Sequence, residues 1–428
     1  MKLHTLSKSS LSVLAVAVAG TASAADLRIN GFASFYYGNV VDNKEIPGEL
    51  YRGYGETGNF QYDSQFGLQF ASDLGDGLTA TAQLTAEGRS GYDADLSWAF
   101  LKYQFNDEWS VKMGRQRVPF FLYSDFQKVG YAYSWVTPPP EVYNLGGLEN
   151  TDGVMFEHLT DIGDFTSRLN FLFGSTSQTT NFGESDLDID NENQIGLFWD
   201  LTYDALTFHL TYTMSDLTIS AFNEVGNGIG DALAGINPAL ALTDEELDLL
   251  TVDEDTVTYL GAGLSGDWGT WVAAAEYANI VIDDSPTSND RQAWYVFTGY
   301  RWDAYTLGLT YANYSSPNND DTIDLLTQKN IEATLNGTAA VIGGADDGDG
   351  SDDFTAFGIE QLAGAIPGIY RAGEESSAVT VSLRYDYHPA AALKFEYIQD
   401  DVTLKPEDGS GDREFSPTLV RVGVDLMF

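Results

Sequence analysis

Residues 60–85 read FQYDSQFGLQFASDLGDGLTATAQLT. Phe60, Tyr62, Phe66, Leu68 and Phe70 share one parity, and Gln61, Asp63, Gln65 and Gln69 share the other. A period of two places these sets on opposite faces of a strand. Asp73-Leu74-Gly75-Asp76-Gly77 then supplies turn chemistry. Alternation resumes with Leu78, Ala80, Ala82 and Leu84 against Thr79, Thr81, Gln83 and Thr85. The stretch therefore predicts a β-hairpin with one apolar and one polar face. Leu206, Phe208, Leu210 and Tyr212 repeat the pattern against Thr207, His209, Thr211 and Thr213.

The same reading along the chain predicts sixteen strands: 27–40, 59–71, 77–88, 93–105, 108–116, 151–160, 163–174, 191–200, 204–214, 255–265, 269–282, 290–301, 304–315, 376–388, 391–401 and 415–428. Every second connection is five residues or fewer, whereas six of the eight others exceed ten. A soluble sandwich has no reason to gather its long loops at one end. A membrane-spanning barrel with short turns on one side does. Ten residues at ~3.4 Å rise, tilted ~45°, also match the ~25 Å apolar band of such barrels. Only a closed barrel lets strands cross lipid without unpaired backbone donors. The expected fold is all-β: a transmembrane antiparallel β-barrel of sixteen strands with long extracellular loops. The 316–375 connection has room for two more strands, near 330–342 and 354–362, which would make eighteen.

Composition agrees. The 428 residues carry 64 acidic and 21 basic side chains, a formal net charge of −43, and no Cys. That charge opposes a nucleic-acid partner, which needs clustered Lys and Arg. The absence of Cys excludes a disulfide scaffold, a thiolate zinc site and a Cys nucleophile. Met1–Ala24 reads as a signal peptide, with Lys2 and Lys8 before the apolar run Leu11–Gly20 and the small-residue site Ala22-Ser23-Ala24. Residues 25–428 then form one barrel domain, and no later apolar run is long enough for a transmembrane helix.

The last strand places Val420, Val422, Val424, Leu426 and Phe428 on one parity. With the opening strand Leu27-Arg28-Ile29-Asn30-Gly31-Phe32 and the Gly114-Arg115-Gln116 ending the fifth strand, the chain resembles a Gram-negative outer-membrane porin of the sixteen-stranded general diffusion type. The resemblance implies an outer-membrane location, passage of small hydrophilic solutes and a homotrimer of water-filled pores. It implies outer-membrane lipid and lipopolysaccharide as surroundings. It makes the C-terminal Phe428 the signal read by the barrel-assembly machinery. It also implies a third loop folded inward to narrow the pore, here 117–150. That loop departs from a short acidic pattern, because Tyr131–Glu141 is aromatic and Pro-rich.

Parity then assigns the lumen. Arg384, Lys394 and Arg421 on the last three strands, with Arg28 on the first, form a basic wall. Lys112 and Arg168 face inward from the fifth and seventh strands. The resemblance sets this wall against acids of the third loop, for which Asp125, Glu141 and Glu149 are candidates. Arg115 and Arg117, at the strand–loop junction, either enter the pore or hold the loop by salt bridges. The loop aromatics Phe120, Phe121, Tyr123, Tyr131, Tyr133, Trp135 and Tyr143 pack the loop against the inner wall or, alternatively, line a track for sugars.

The long connections together hold 38 acids and 9 bases. A vestibule of one sign concentrates cations and repels anions, so the expected preference is for cations, opposed by the basic wall. Asp346–Asp353 lacks the spacing of a calcium loop and reads as a solvated acidic run. Thr243-Asp244-Glu245-Glu246 resembles a capping box that opens a short loop helix. No nucleophile elbow, phosphate loop, dinucleotide fingerprint or metal-helix motif occurs, so no enzyme, cofactor or metal is expected. Two other readings stay open: a substrate-selective channel for a sugar or another small solute, and a plugged barrel whose loops serve adhesion or surface structure.

Overall fold

The computed structural model describes residues 27–42, 50–145, 148–182, 185–283, 290–317, 325, 373–405 and 412–428. The expected signal peptide, the Asp346–Asp353 run and the two extra strands lie outside the described residues. The strands are β1 (Leu27–Asp42), β2 (Gln65–Gly75), β3 (Leu78–Glu87), β4 (Ala94–Gln104), β5 (Trp109–Arg117), β6 (Asn150–Ile162), β7 (Phe165–Phe182), β8 (Ser185–Tyr203) and β9 (Leu206–Ile219). They continue as β10 (Asp255–Asp267), β11 (Trp271–Ile282), β12 (Asp290–Trp302), β13 (Tyr305–Ser316), β14 (Gly373–His388), β15 (Ala391–Lys405), β16 (Arg413–Phe415) and β17 (Thr418–Met427). Neighbours pair antiparallel, and β1 pairs with both β2 and β17, which closes a barrel of sixteen strands. The three-residue β16 stands outside that ring, on β15 alone. Pro417 separates it from β17, because proline has no N–H to give the ladder. The Pro417 carbonyl still accepts the Asp400 N–H, at 3.2 Å.

Several expected boundaries change, and one loop gains helices. β2 begins at Gln65, so Phe60 and Tyr62 belong to the first loop. There the Asn59 side chain accepts the Gln61 and Tyr62 N–H groups at 2.9 and 3.2 Å, a local turn that competes with the ladder. The expected 175–190 loop is mostly strand, because β7 and β8 run on as a hairpin whose pairs reach Phe182↔Ser185. The 215–254 loop holds two helices, α2 (Ser220–Ile236) and α3 (Asp244–Asp248). The capping box is present: Glu246 N–H donates to Thr243 Oγ1, and Thr243 N–H to Glu246 Oε2.

The outer face carries Leu260, Leu264, Val296 and Leu309, all exposed. Among the described residues no helix is long and apolar enough to cross a membrane; the strands do so. Phe428 exchanges backbone hydrogen bonds with Gly31 at 2.6 and 2.9 Å. Its ring lies over Gly31 and beside Phe66, and it remains exposed on the outer face.

The inner face departs from simple parity. Inward positions on β10–β13 include Tyr259, Val272, Ala274, Ala278, Ala293, Tyr295, Phe297 and Ala312, all buried and apolar. These strands have two apolar faces because one meets lipid and the other meets the third loop. An outward arginine has no such partner. Val296→Arg, at the middle of β12, is expected to destabilise the barrel by about 2–4 kcal/mol in denaturant unfolding from lipid vesicles.

Candidate pore constriction

The third loop, 118–149, is closed at its neck by the Val118 N–H on the Glu149 carbonyl, at 2.9 Å. Its aromatics turn toward the β8–β13 wall. Phe120 meets Tyr259 with ring centroids 4.8 Å apart, Phe121 meets Tyr143 at 4.3 Å, and Trp135 meets Phe297 at 4.4 Å. The alanines of β11–β13 leave room for these rings. Three buried polar groups in this layer, on Trp135, Glu276 and His209, find partners, as burial favours. Trp135 Nε1 donates to Thr310 Oγ1 at 2.8 Å. The buried carboxylate of Glu276 accepts the Leu122 N–H and the Tyr295 hydroxyl, each at 2.7 Å, and the Tyr143 hydroxyl. Burial pushes the Tyr143 hydroxyl up, with the Glu276 charge adding to the effect, so it stays a donor. His209 approaches the Phe120 carbonyl with Nε2, while Nδ1 meets Asp200 at 2.7 Å.

On the β14–β17 wall the loop is held by charge. Arg384 donates to the Tyr131 and Tyr133 carbonyls at 2.6 and 2.9 Å and pairs with Asp386. Lys394 donates to the Gly130 and Trp135 carbonyls and pairs with Asp425 at 2.8 Å. Glu396 accepts the Val136 N–H at 2.8 Å and pairs with Arg421, whose second partner is Asp63 of the first loop. Asp425 also accepts the Ser34 and Tyr36 hydroxyls. Gly130 is required here, because a Cβ would strike Asp425 and Ser34.

Arg384, Lys394 and Arg421 are thus neighbours, as parity places them, but they lie under the loop. The Lys394 side chain is 0% exposed, Arg421 4% and Arg384 12%. Four acids (Asp63, Asp386, Glu396 and Asp425) face these three bases.

Accessible charge lies elsewhere. On β4–β7 Lys102 meets Glu157 at 2.8 Å and Arg168 approaches it at 3.7 Å. Lys112 sits over the Phe100 ring. Arg168 is half exposed and, with Asp125, Asp200 and His209, lines a cavity of about 300 Å³. Asp125 is the exposed acid on that rim. Glu141 is buried against Arg52 of the first loop, which also reaches Asp400 at 3.3 Å. Burial alone would lower the Arg52 pKa; Glu141, Tyr51 and Asp400 together outweigh it and the net shift is upward. Glu149 is half-buried at the loop neck, and Arg28 is exposed at the short-turn end. Arg115 pairs with Asp152 on β6 through hydrogen bonds of 3.1 and 2.8 Å, whereas Arg117 donates to Gln127 of the third loop.

Sequence reasoning missed Lys102, Glu157, Glu276, Asp63 and Asp425. Lys102 shares its parity with Phe100 and Gln104, so the alternation carried that signal. Glu276 is the only charge between Trp271 and Ile282. Asp63 had none, since its partner Arg421 lies 358 residues away. Among the described residues no group of three or more metal-ligating side chains occurs.

Removing one member of a buried pair leaves a charge uncompensated. Lys394→Met is expected to cost about 3–5 kcal/mol in barrel unfolding and to expose 130–136 to protease. Adding Asp425→Leu is expected to restore part of the loss, read in the same double-mutant cycle.

A family model described as Gram-negative porin matches residues 10–416. No curated protein matches the chain by sequence. Solved structures do match in fold. In-vitro folded OmpT of Vibrio cholerae is 12% identical with a TM-score of 0.50, covering 94% of this chain and 97% of that one. The outer-membrane channel DcaP of Acinetobacter baumannii gives the same identity, TM-score and coverage, as does Salmonella typhi OmpF in complex with daunomycin. A closed barrel of sixteen strands, an inward third loop and a family match over nearly the whole chain have one conclusion: this chain belongs to the Gram-negative porin family.

Proposed function

We propose that this outer-membrane channel passes small hydrophilic solutes by diffusion and prefers cations. The carrying observation is the neutralised wall: Arg384, Lys394 and Arg421 are covered by the third loop and matched by four acids. Bases held in buried pairs exert little field on a passing ion, so the acidic loops dominate. The external connections carry 38 acids against 9 bases. Lys102, Lys112 and Arg168 oppose this preference, with Glu157 offsetting one of them. Asp125 faces the same cavity as Arg168, which supports a transverse field there rather than at Arg384 and Arg421.

The reading includes export by the Met1–Ala24 signal peptide and assembly through Phe428, whose exposed ring is open to the barrel-assembly machinery. It also includes a homotrimer. The outward face of β3 offers Ala80, Ala82 and Ala86, small enough for close approach of a second wall. By contrast β11–β13 present Trp271, Tyr277, Trp294, Tyr300, Trp302, Tyr305 and Tyr311, residues suited to the headgroup boundary.

In planar bilayers under a KCl gradient, the refolded protein is expected to show open steps with a reversal potential of cation sign. Lys102→Gln, Lys112→Gln and Arg168→Gln together are expected to strengthen that preference. An anion-sign potential overturns the selectivity, and a correctly folded barrel without conductance overturns the diffusion channel. Cross-linking in membranes is expected to give a trimer, with Ala82→Trp shifting it toward monomer.

A further inference from the structure

Below the third loop, at the short-turn end, lies a cavity of about 610 Å³. Its roof is loop 3, with Tyr123 and Tyr131 partly exposed in it. Its rims are two arginine–carboxylate pairs, Arg301 with Asp267 and Arg384 with Asp386.

We propose that this cavity is a binding subsite for a neutral polyhydroxylated solute; the proposal deepens the channel reading above and rests on it. Three observations carry it. First, two guanidinium groups face two carboxylates, so the cavity has no net charge to hold an anion or a cation. Second, hydrogen-bonding capacity is left over. Arg301 spends only Nη1, on both Asp267 oxygens at 2.7 and 2.8 Å and on the Gly269 carbonyl. Its Nε and Nη2 make no hydrogen bond among the described residues, nor does the Tyr123 hydroxyl. Vicinal hydroxyls suit a planar fork of donors beside carboxylate acceptors. Third, one aromatic wall is already fixed. Tyr131 lies under Arg384, 4.6 Å from guanidinium carbon to ring centroid, and its hydroxyl donates to the Pro389 carbonyl at 2.9 Å. A ring held at both ends loses little entropy when a solute settles on it. The volume lies in the range of small-molecule sites.

The subsite sits on the exit side of the loop and opens toward the short turns. It therefore retains solute that has already crossed and takes solute arriving from the periplasmic face. The probe is maltose, with gluconate as its charged counterpart. Titration calorimetry of the detergent-solubilised full-length protein is expected to show maltose binding of roughly millimolar strength, and weaker binding of gluconate. Arg301→Gln, which removes the donor fork, and Tyr131→Ala, which removes the aromatic wall, are each expected to weaken maltose binding about tenfold. Thermal unfolding of each variant shows that the barrel is intact. In bilayers maltose is expected to interrupt the current at lower concentration from the short-turn side than from the loop side. Absence of maltose heat, equal binding of gluconate, or full binding by both variants overturns the subsite while leaving the channel intact. Calorimetry does not need current, so a barrel that binds maltose without conducting overturns the channel and keeps the subsite.

Discussion

A strand that crosses hydrocarbon has no water to satisfy its backbone, so each donor and acceptor must be met by a neighbouring strand. That constraint closes β1 on β17 here and fixes everything that follows. The Gly31–Phe428 hydrogen bonds complete the seam at the short-turn end. Closure of sixteen strands also encloses more space than inward side chains can fill. The third loop occupies part of that space, and the chemistry of each wall sets how it is held.

Two kinds of attachment share the task. Against β8–β13 the loop forms an apolar core of phenylalanine, tyrosine and tryptophan over alanines, with Glu276 as an isolated carboxylate that gathers three donors. Against β14–β17 the contact is made of charge-assisted hydrogen bonds, to which the loop contributes mainly backbone: the carbonyls of Gly130, Tyr131, Tyr133 and Trp135 accept, and the Val136 N–H donates. Charges buried in this way favour geometry more than stability, because desolvation offsets most of the attraction. The first loop adds Arg52 and Asp63 to the same network. The loop is thereby pinned from both sides, and the accessible inward charges lie mainly on the β4–β7 wall.

The distribution of charge follows from that arrangement. A lumen arginine is forced inward by lipid whatever its task. Whether it acts on passing ions depends on what covers it. Arg168 is left half exposed, whereas Lys394 has no accessible surface. Both have the same parity signature in sequence, so periodicity alone cannot separate a selectivity charge from a clamp.

Alternation with period two is a local property, and so the strands, their outward apolar faces and the contrast of short turns with long loops were all legible before any fold was known. Local turn chemistry was legible too where one element settles it, as at Thr243–Glu246. It was overlooked where it competed with a longer pattern: Asn59 ends the alternation that Phe60 and Tyr62 seemed to begin. The inward apolar faces of β10–β13 broke the polar-lumen rule because their partner is a loop more than a hundred residues away. The sequence by itself determined a closed, outward-greasy barrel with acidic loops, since lipid and water act on each strand one residue at a time. Only the tertiary structure decided which inward charges meet water, because burial by the third loop depends on contacts between Asp63, Lys394, Arg421 and a loop that no local period brings together.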